Sequence, residues 1–285
     1  MIDVSYYPGC SLEGTAKDYK ESIETVCERV GIKLHELEDW NCCGATAAHS
    51  LSHKAAINLS ARNLELAEKA GMDLVIPCAL CFNRMKAAEK ALLGPYRREY
   101  PYRFEGTIKI WDLLDFFCQD RVKAEIAKRF KRPLKGLKPV CYYGCMANRP
   151  PTITDSRNWE NPTNMDELLS FLGAEVIDWP YKTDCCGASH VVARPDIVFN
   201  LVYKLFDMAE RVGANCIVVS CQMCQANLDM YQDEINKKFN RDFYFPILYF
   251  TELVGMAIGE KQVKRWLNKH FVSAKPLIEG AGLSL

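Results

Sequence analysis

The stretch Leu74-Val75-Ile76-Pro77-Cys78-Ala79-Leu80-Cys81 joins a β-type apolar run directly to a CxxC motif. A matching stretch, Ile217-Val218-Val219-Ser220-Cys221-Gln222-Met223-Cys224, follows 143 positions later. In both copies 34 residues separate the CxxC from the second cysteine of an earlier Cys-Cys-Gly motif, at Cys42-Cys43-Gly44 and at Cys185-Cys186-Gly187. Similarity at a fixed offset indicates an internal duplication, and this decides the fold before any single element does.

A further cysteine lies upstream in each copy, within Tyr7-Pro8-Gly9-Cys10 and Tyr143-Gly144-Cys145. Here the offset is 135, so the second copy has eight additional residues before its Cys-Cys-Gly motif. We assign them to residues 148–164, because a Pro- and Asn-rich composition is typical of loops. Ten of the 14 cysteines thus have a repeat partner: Cys10, Cys42, Cys43, Cys78 and Cys81 in the first copy, and Cys145, Cys185, Cys186, Cys221 and Cys224 in the second.

Each copy alternates β-type runs with amphipathic segments. We predict strands at residues 3–7, 32–37, 74–77, 138–143, 175–178 and 217–220, and helices at residues 16–30, 54–70, 82–92, 165–172, 197–212 and 225–239. This alternation predicts an α/β fold of two pseudo-twofold-related halves with parallel sheets, one CCG motif set in each. The halves are residues 1–133 and 134–285. Ligands of such sheets bind beyond the carboxyl ends of the strands, where Cys10, Cys78, Cys145 and Cys221 fall.

The composition is that of an ordinary globular protein, with 49% hydrophobic and 25% charged residues in a chain of 285. Lys+Arg and Asp+Glu are both 36, so the basic excess typical of nucleic-acid binding is missing. No apolar run approaches the roughly 20 residues of a membrane helix, and the N-terminal residues do not resemble a secretory signal. We therefore expect a cytoplasmic protein without membrane insertion.

The cysteine count points to metal or redox chemistry, because disulfide scaffolds belong to small secreted proteins. Structural zinc and cubane [4Fe–4S] clusters each take four ligands, whereas every copy here offers five thiols. Adjacent cysteines suit different irons of one larger cluster, and a CxxC at a helix start places anionic sulfur at the positive end of the dipole. Structural zinc and thioredoxin-like CxxC pairs remain as less favoured alternatives, since both leave cysteines unexplained.

The remaining cysteines, Cys27, Cys118, Cys141 and Cys216, have no repeat partner, and we interpret them as small buried hydrophobic residues. His49, His53 and His190 lie shortly after the Cys-Cys-Gly motifs, where a proton donor is conceivable. His49 and His190 do not share an offset, so surface or capping roles are favoured for them.

The full pattern, C-x31-CCG-x33-CxxC followed by C-x39-CCG-x33-CxxC, resembles the cysteine-rich CCG domain pair of the heterodisulfide reductase B subunit. The resemblance covers essentially the whole chain, including a C-terminal strand and helix at residues 245–255. It implies two noncubane [4Fe–4S] clusters, each made of two smaller units fused through a shared iron and sulfide. Carried over by position, the five repeat-paired cysteines of each copy are the ligands, with Cys141 as the alternative to Cys145.

In the methanogen enzyme of that family the substrate is the mixed disulfide of coenzyme M and coenzyme B. Electrons arrive through a ferredoxin-like cubane-cluster subunit and a flavin-containing subunit, which we expect as partners. The sequence lacks the C-x2-C-x2-C-x3-C-P run of ferredoxins and a GxGxxG fingerprint, so an external electron source is required.

The leading hypothesis is the catalytic iron–sulfur subunit of a heterodisulfide-reductase-like complex. It would carry out the two-electron reduction of a small disulfide, or the reverse, in a pocket between the two clusters. The alternative is a non-catalytic electron-relay subunit of another CCG-containing oxidoreductase complex.

Overall fold

The computed structural model describes residues 1–283 and has one parallel sheet in each half. The first half contains β1 (Ile2–Tyr6), α1 (Cys10–Gly14), α2 (Lys17–Val30), β2 (Ile32–Glu36), α3 (Ala47–Leu51), α4 (His53–Ala70), β3 (Leu74–Ile76), α5 (Ala79–Leu93), β4 (Ile110–Asp112), α6 (Leu113–Phe117) and α7 (Asp120–Arg129), with a 3₁₀ turn at Arg97–Glu99. The second half contains β5 (Pro139–Tyr142), α8 (Pro151–Thr154), α9 (Asn164–Phe171), α10 (Pro195–Arg211), β6 (Cys216–Val219), α11 (Gln222–Asp229), α12 (Gln232–Phe239), β7 (Ile247–Tyr249), α13 (Phe250–Ala257), α14 (Val263–Leu267) and α15 (Lys275–Gly280), with a 3₁₀ turn at Ala188–Val191.

Three strands of the first sheet correspond to the three strands of the second. The first has the strand order β2-β1-β3-β4 and the second β5-β6-β7, so that β1, β3 and β4 match β5, β6 and β7, and every strand pair is parallel. Ile177 forms an isolated parallel bridge to Val140 of β5, which places it where β2 lies in the first sheet. The predicted fold class, α/β halves with parallel sheets and one CCG motif set each, is confirmed.

Most predicted elements agree with the observed ones to within three residues, but two predictions were wrong in detail. Residues 175–178 form only the bridge at Ile177 rather than a strand. Residues 225–239 form two helices, α11 and α12, because the polar side chains at the break serve distant segments. Asp229 accepts the backbone N–H groups of Phe271 and Val272, and the Gln232 amide exchanges two hydrogen bonds with the backbone of Phe245.

Helix α2 of the first half packs against the second half. The Tyr19 hydroxyl donates to the carbonyl of Ser220 at 2.9 Å, and its ring stacks on Tyr249 with centroids 4.0 Å apart. Ser22 Oγ and Thr251 Oγ1 share a buried hydrogen bond of 2.7 Å. One hydrophobic core therefore extends through both halves, whereas a second core cluster lies within the first half. The boundary at residue 133, between α7 and β5, stays a prediction.

The additional residues of the second copy hold helix α5 of the first. Predicted as loop, they include the single turn α8. The buried Asn83 amide of α5 donates to the carbonyls of Met146 and Arg149, at 3.0 and 2.9 Å. Asp155 pairs with Lys86 and Lys90 of the same helix. The segment that follows Cys145 is thereby fixed to the helix that carries Cys81.

Helix α13 approaches α2 and α14 closely at Gly255. A Cβ atom there would lie 2.9 Å from Trp266 and 3.4 Å from Val26. We expect Gly255→Val to destabilise the protein by about 1–3 kcal/mol, the usual cost of overpacking a well-filled core.

Urea unfolding of protein prepared without oxygen measures this effect. Gly280→Ala is the matched control, because Gly280 also lies in a helix and a Cβ atom there meets nothing within 4 Å. Equal unfolding midpoints for Gly255→Val and the unsubstituted protein would contradict the close packing of α13 at Gly255.

Candidate metal centre

The first five cysteines converge beyond the carboxyl ends of β1, β2 and β3. Cys10 begins α1 shortly after β1, and Cys78 is the N-cap residue of α5 after β3. The Cys43 and Cys81 sulfur atoms lie 3.2 Å apart. Cys43, Cys78 and Cys81 are at most 4% exposed, whereas Cys10 and Cys42 are exposed. The set is therefore buried on the protein side and open on the other.

The second five cysteines form a matching set beyond β5 and β6. Cys221 is the N-cap residue of α11, and Cys224 lies in its first turn. The Cys186 and Cys224 sulfur atoms lie 3.8 Å apart. All five line one small cavity: Cys145, Cys185, Cys186, Cys221 and Cys224. The sequence prediction thus groups ten cysteines correctly in space, although their role as ligands stays a prediction.

The glycine before the upstream cysteine allows sulfur to approach the backbone. Gly9 has φ +74° and a Cβ atom there would lie 3.1 Å from the Cys81 sulfur; Gly144 has φ +67° and the corresponding distance to Cys224 is 2.8 Å. Both positions therefore favour glycine on conformational and steric grounds.

A tyrosine hydroxyl anchors each Cys-Cys-Gly loop. Tyr7 donates to the carbonyl of Asn41 at 2.9 Å, and Tyr142 donates to that of Asp184 at 2.7 Å. Each carbonyl belongs to the residue before a Cys-Cys pair. The structural counterpart of Tyr7 is thus Tyr142, at the same offset of 135 that relates Cys10 to Cys145. Tyr142 was not identified from the sequence, although the offset of 135 between Cys10 and Cys145 also relates Tyr7 to Tyr142 and could have indicated it.

The sulfur atoms of each set differ in acidity because neighbouring thiols donate to one another. Hydrogen bonds from Cys42 and then Cys81 lower the pKa of Cys43, and the donation raises the pKa of Cys42. In the second set, a hydrogen bond from Cys145, helped by the Gly187 N–H group, lowers the pKa of Cys185 to about 6. Full ionisation of a set would crowd like charges, so it requires a bound cation.

The two sets differ in their charged neighbours. Arg84 follows Cys81 by three positions, and its repeat mate after Cys224 is Asn227. The half-buried Arg84 guanidinium acts electrostatically on Cys43 and donates to His49 Nδ1 at 3.0 Å. Asn227 instead donates its neutral amide to the carbonyl of Ala188 at 2.9 Å. The first set therefore lies in a more positive environment than the second.

The two CxxC loops meet at Gln222. Its side chain is buried, and neither amide atom has a hydrogen-bond partner of normal geometry. The amide faces Cys78, whose pKa is lowered by Cys81 and further by Gln222. Ala79 and Leu80 of the first CxxC also line the cavity at the second set. The cavity has a volume of about 20 Å³, room for about one water molecule.

The residues present fit a polynuclear metal cluster. Five converging thiols exceed the four positions of a single tetrahedral ion. The Gly9 and Gly144 positions leave room for sulfur at the backbone, and the unpaired Gln222 amide offers a buried N–H group beside Cys78. Polar groups without partners are costly in a protein interior unless a bound group satisfies them.

The four unpaired cysteines lie apart from these sets. Cys141 is buried within β5 beside Cys216 and Asp166, so Cys145 rather than Cys141 joins the second set. Burial raises the pKa of both Cys27 and Cys141, as expected of inert thiols. The Cys118 sulfur contacts the carbonyl of Asn164 at 3.3 Å. His49, His53 and His190 are exposed, in agreement with surface roles.

This division predicts two classes of cysteine variant. Cys81→Ser and Cys224→Ser should each abolish about half of the bound iron, since each removes one thiol from one set. Cys27→Ser and Cys118→Ser are the controls and should retain all of it. Iron per chain after purification without oxygen is the measurement, and iron loss in Cys118→Ser equal to that in Cys81→Ser would show that the sets are misassigned.

Several known proteins are similar to this chain. The 8-methylmenaquinol:fumarate reductase membrane anchor subunit of Wolinella succinogenes is 29% identical over 282 residues, which are 96% of this chain and 99% of that protein. The B subunit of the ferredoxin:CoB-CoM heterodisulfide reductase of Methanosarcina mazei is 26% identical over 271 residues, which are 91% of this chain and 90% of that protein.

No helix within residues 1–283 has the length and apolarity that crossing a bilayer requires.

The crystal structure of a hypothetical protein from Helicobacter pylori has the same fold, with a TM-score of 0.74 at 15% sequence identity. The match covers 95% of this chain and 53% of that one, so this chain corresponds to about half of the solved protein. The cysteine-rich domain family CCG matches twice, at residues 4–86 and 140–229. Those two matches span more than half of the sequence and contain both cysteine sets, and the chain therefore belongs to the CCG cysteine-rich domain family.

Proposed function

We propose that the protein is an iron–sulfur oxidoreductase subunit that holds one noncubane [4Fe–4S] cluster on each cysteine set. The observation that carries the proposal is the convergence of five thiols in each half. Relatives named as the B subunit of heterodisulfide reductases support it. When bound, such clusters supply electrons one at a time at a site where sulfur can be taken up.

The chain itself would bind and shield the clusters. The ten cysteines would supply the thiolates, and Cys81 and Cys224 lie in the first turns of α5 and α11, where the helix dipole favours anionic sulfur. Burial of Cys43 and Cys186 keeps water from the inner side of each set. The exposed Cys10 and Cys42 leave the outer side accessible to a partner or a substrate.

The reaction we propose is the reduction of a small disulfide, with the CoB–CoM heterodisulfide as the model substrate. One S–S bond breaks, and two electrons and two protons convert the two sulfurs into two thiols. A ferredoxin-like cubane-cluster subunit and a flavin-containing subunit would supply the electrons. The contact between the CxxC loops at Gln222 supports cooperation of the two sets.

A relay function is the second candidate, and two observations favour it. The cavity at the second set has a volume of only about 20 Å³ and no thiol of the first set lines it. A relative that is 29% identical bears the name of a fumarate reductase subunit. In this case the clusters would pass electrons to another subunit, and no disulfide would bind between them.

Protein prepared without oxygen distinguishes these functions. We expect about eight iron per chain, and with a reduced viologen donor about two thiols released per heterodisulfide consumed. The relay would be favoured if the iron-loaded protein reduces no disulfide and its reduced clusters are reoxidised when fumarate reductase partner subunits are added. Zinc in place of iron would contradict both functions.

The charge difference between the sets gives a separate prediction. Arg84→Gln should make the reduction potential of the first cluster more negative, because it removes a cation that stabilises the added electron. Arg98→Gln is the control, since it removes the same charge from an exposed side chain in the 3₁₀ turn after α5, at the opposite end of that helix from Cys81. Redox titration followed by electron paramagnetic resonance measures both potentials. If Arg84→Gln leaves both potentials unchanged, the guanidinium does not act on the first cluster.

A further inference from the structure

Three side chains that could bind a metal meet away from the cysteines, at the contact between the halves. Asp18 belongs to α2 of the first half, Glu252 to the first turn of α13, and His270 follows α14. His270 Nε2 lies 3.0 Å from Glu252 Oε1 and 3.5 Å from Asp18 Oδ2. One atom from each residue lies within 4.8 Å of the other two.

Hydrogen bonding does not account for this cluster. The side chains of His270 and Glu252 are fully buried, yet both ring nitrogens of His270 and Oε1 of Glu252 lack a partner of hydrogen-bond geometry. Glu252 already uses its other oxygen to accept the backbone N–H of Tyr249 at 2.9 Å. Its Oε1 is therefore left over and faces the imidazole.

The distances match a coordination shell. Zinc binds imidazole nitrogen and carboxylate oxygen at about 2.0–2.2 Å, which separates neighbouring ligand atoms of a tetrahedral shell by about 3.3–3.6 Å. Of the two separations from His270 Nε2, that of 3.5 Å falls within this interval and that of 3.0 Å lies about 0.3 Å below it. A cation held by His270 Nε2 and Glu252 Oε1 would thus need little movement of these two side chains, with Asp18 Oδ2 within reach as the third ligand atom.

Charge balance also favours a bound cation. With a neutral His270, two carboxylates bury two negative charges, and a protonated His270 still leaves one. Asp229 adds a further carboxylate that acts on His270, although backbone N–H groups of Phe271 and Val272 bind it. Buried charge without compensation is strongly unfavourable, whereas a divalent ion bound to a neutral imidazole cancels both carboxylates.

We propose that Asp18, Glu252 and His270 form a binding site for a divalent transition-metal ion of the zinc class, separate from the cysteine sets. Asp18 is 8% exposed and gives the ion a path from solvent. The ion joins α2 to α13 beside the stacked Tyr19 and Tyr249, and Tyr19 bonds to Ser220, next to Cys221. It therefore fixes the first half to the scaffold of the second cysteine set.

Zinc is the probe for the test, because iron in the clusters masks an iron site. Iron-loaded protein is equilibrated with Zn²⁺ without oxygen and then dialysed. We expect about one zinc per chain, with nitrogen and oxygen at about 2.0–2.1 Å by zinc-edge X-ray absorption rather than the sulfur at about 2.3 Å of a cysteine site.

Asp18→Asn and His270→Gln should lose most of the zinc while the iron content remains, which shows that the variants are folded. The control is His35→Gln, which breaks a surface pair of His35 with Asp3 at 2.8 Å and should keep the zinc. A sulfur shell, zinc binding unchanged in Asp18→Asn, or folded protein that binds no zinc would each overturn the proposal. The last outcome would identify the cluster as an ion pair of protonated His270.

Discussion

Close packing of sulfur atoms is the constraint on which the rest of the structure depends. In each half a Cys-Cys-Gly sulfur lies beside a CxxC sulfur, at 3.2 Å in the first set and 3.8 Å in the second. Anionic sulfurs at such distances repel strongly in a buried site. Three features reduce this repulsion: the thiols donate hydrogen bonds to one another, backbone N–H groups of the Cys-Cys-Gly turns donate to sulfur, and two helices begin at the CxxC motifs.

The two sets are alike in their backbone and different in their surroundings. The Tyr7 and Tyr142 hydroxyls and the glycines before Cys10 and Cys145 repeat from half to half. The side chains that face the sulfur do not, since Arg84 in one half corresponds to a neutral amide in the other. The residues that position the cysteines are thus the same in both copies, whereas the charges beside the sulfur atoms differ. We therefore expect the two sets to differ in their redox properties.

Features that depend on the spacing of the cysteine motifs could be predicted from the sequence. Ten cysteines, their grouping and their place at the carboxyl ends of parallel strands follow from motifs that recur at fixed offsets. The choice of Cys145 over Cys141 needed the strand geometry, because both lie near the end of β5. The break between α11 and α12 was not predictable, since Asp229 and Gln232 bind segments far along the chain. Sites built from distant residues, such as Asp18 with Glu252 and His270, were equally beyond local patterns, because packing of α2 on α13 brings them together.

The hydrogen bonds from Asn83 to residues 146–149 have a consequence for how the protein can change in evolution. The eight additional residues next to this contact occur in the second copy alone, so the relation between the halves is not interchangeable. The contact ties the two halves together, because the buried Asn83 amide of the first finds its two acceptors in the second. Exchange of the second half for one with a different loop would leave this amide without its acceptors before any cysteine was altered. Selection would therefore act on the duplicated chain as a single heritable unit.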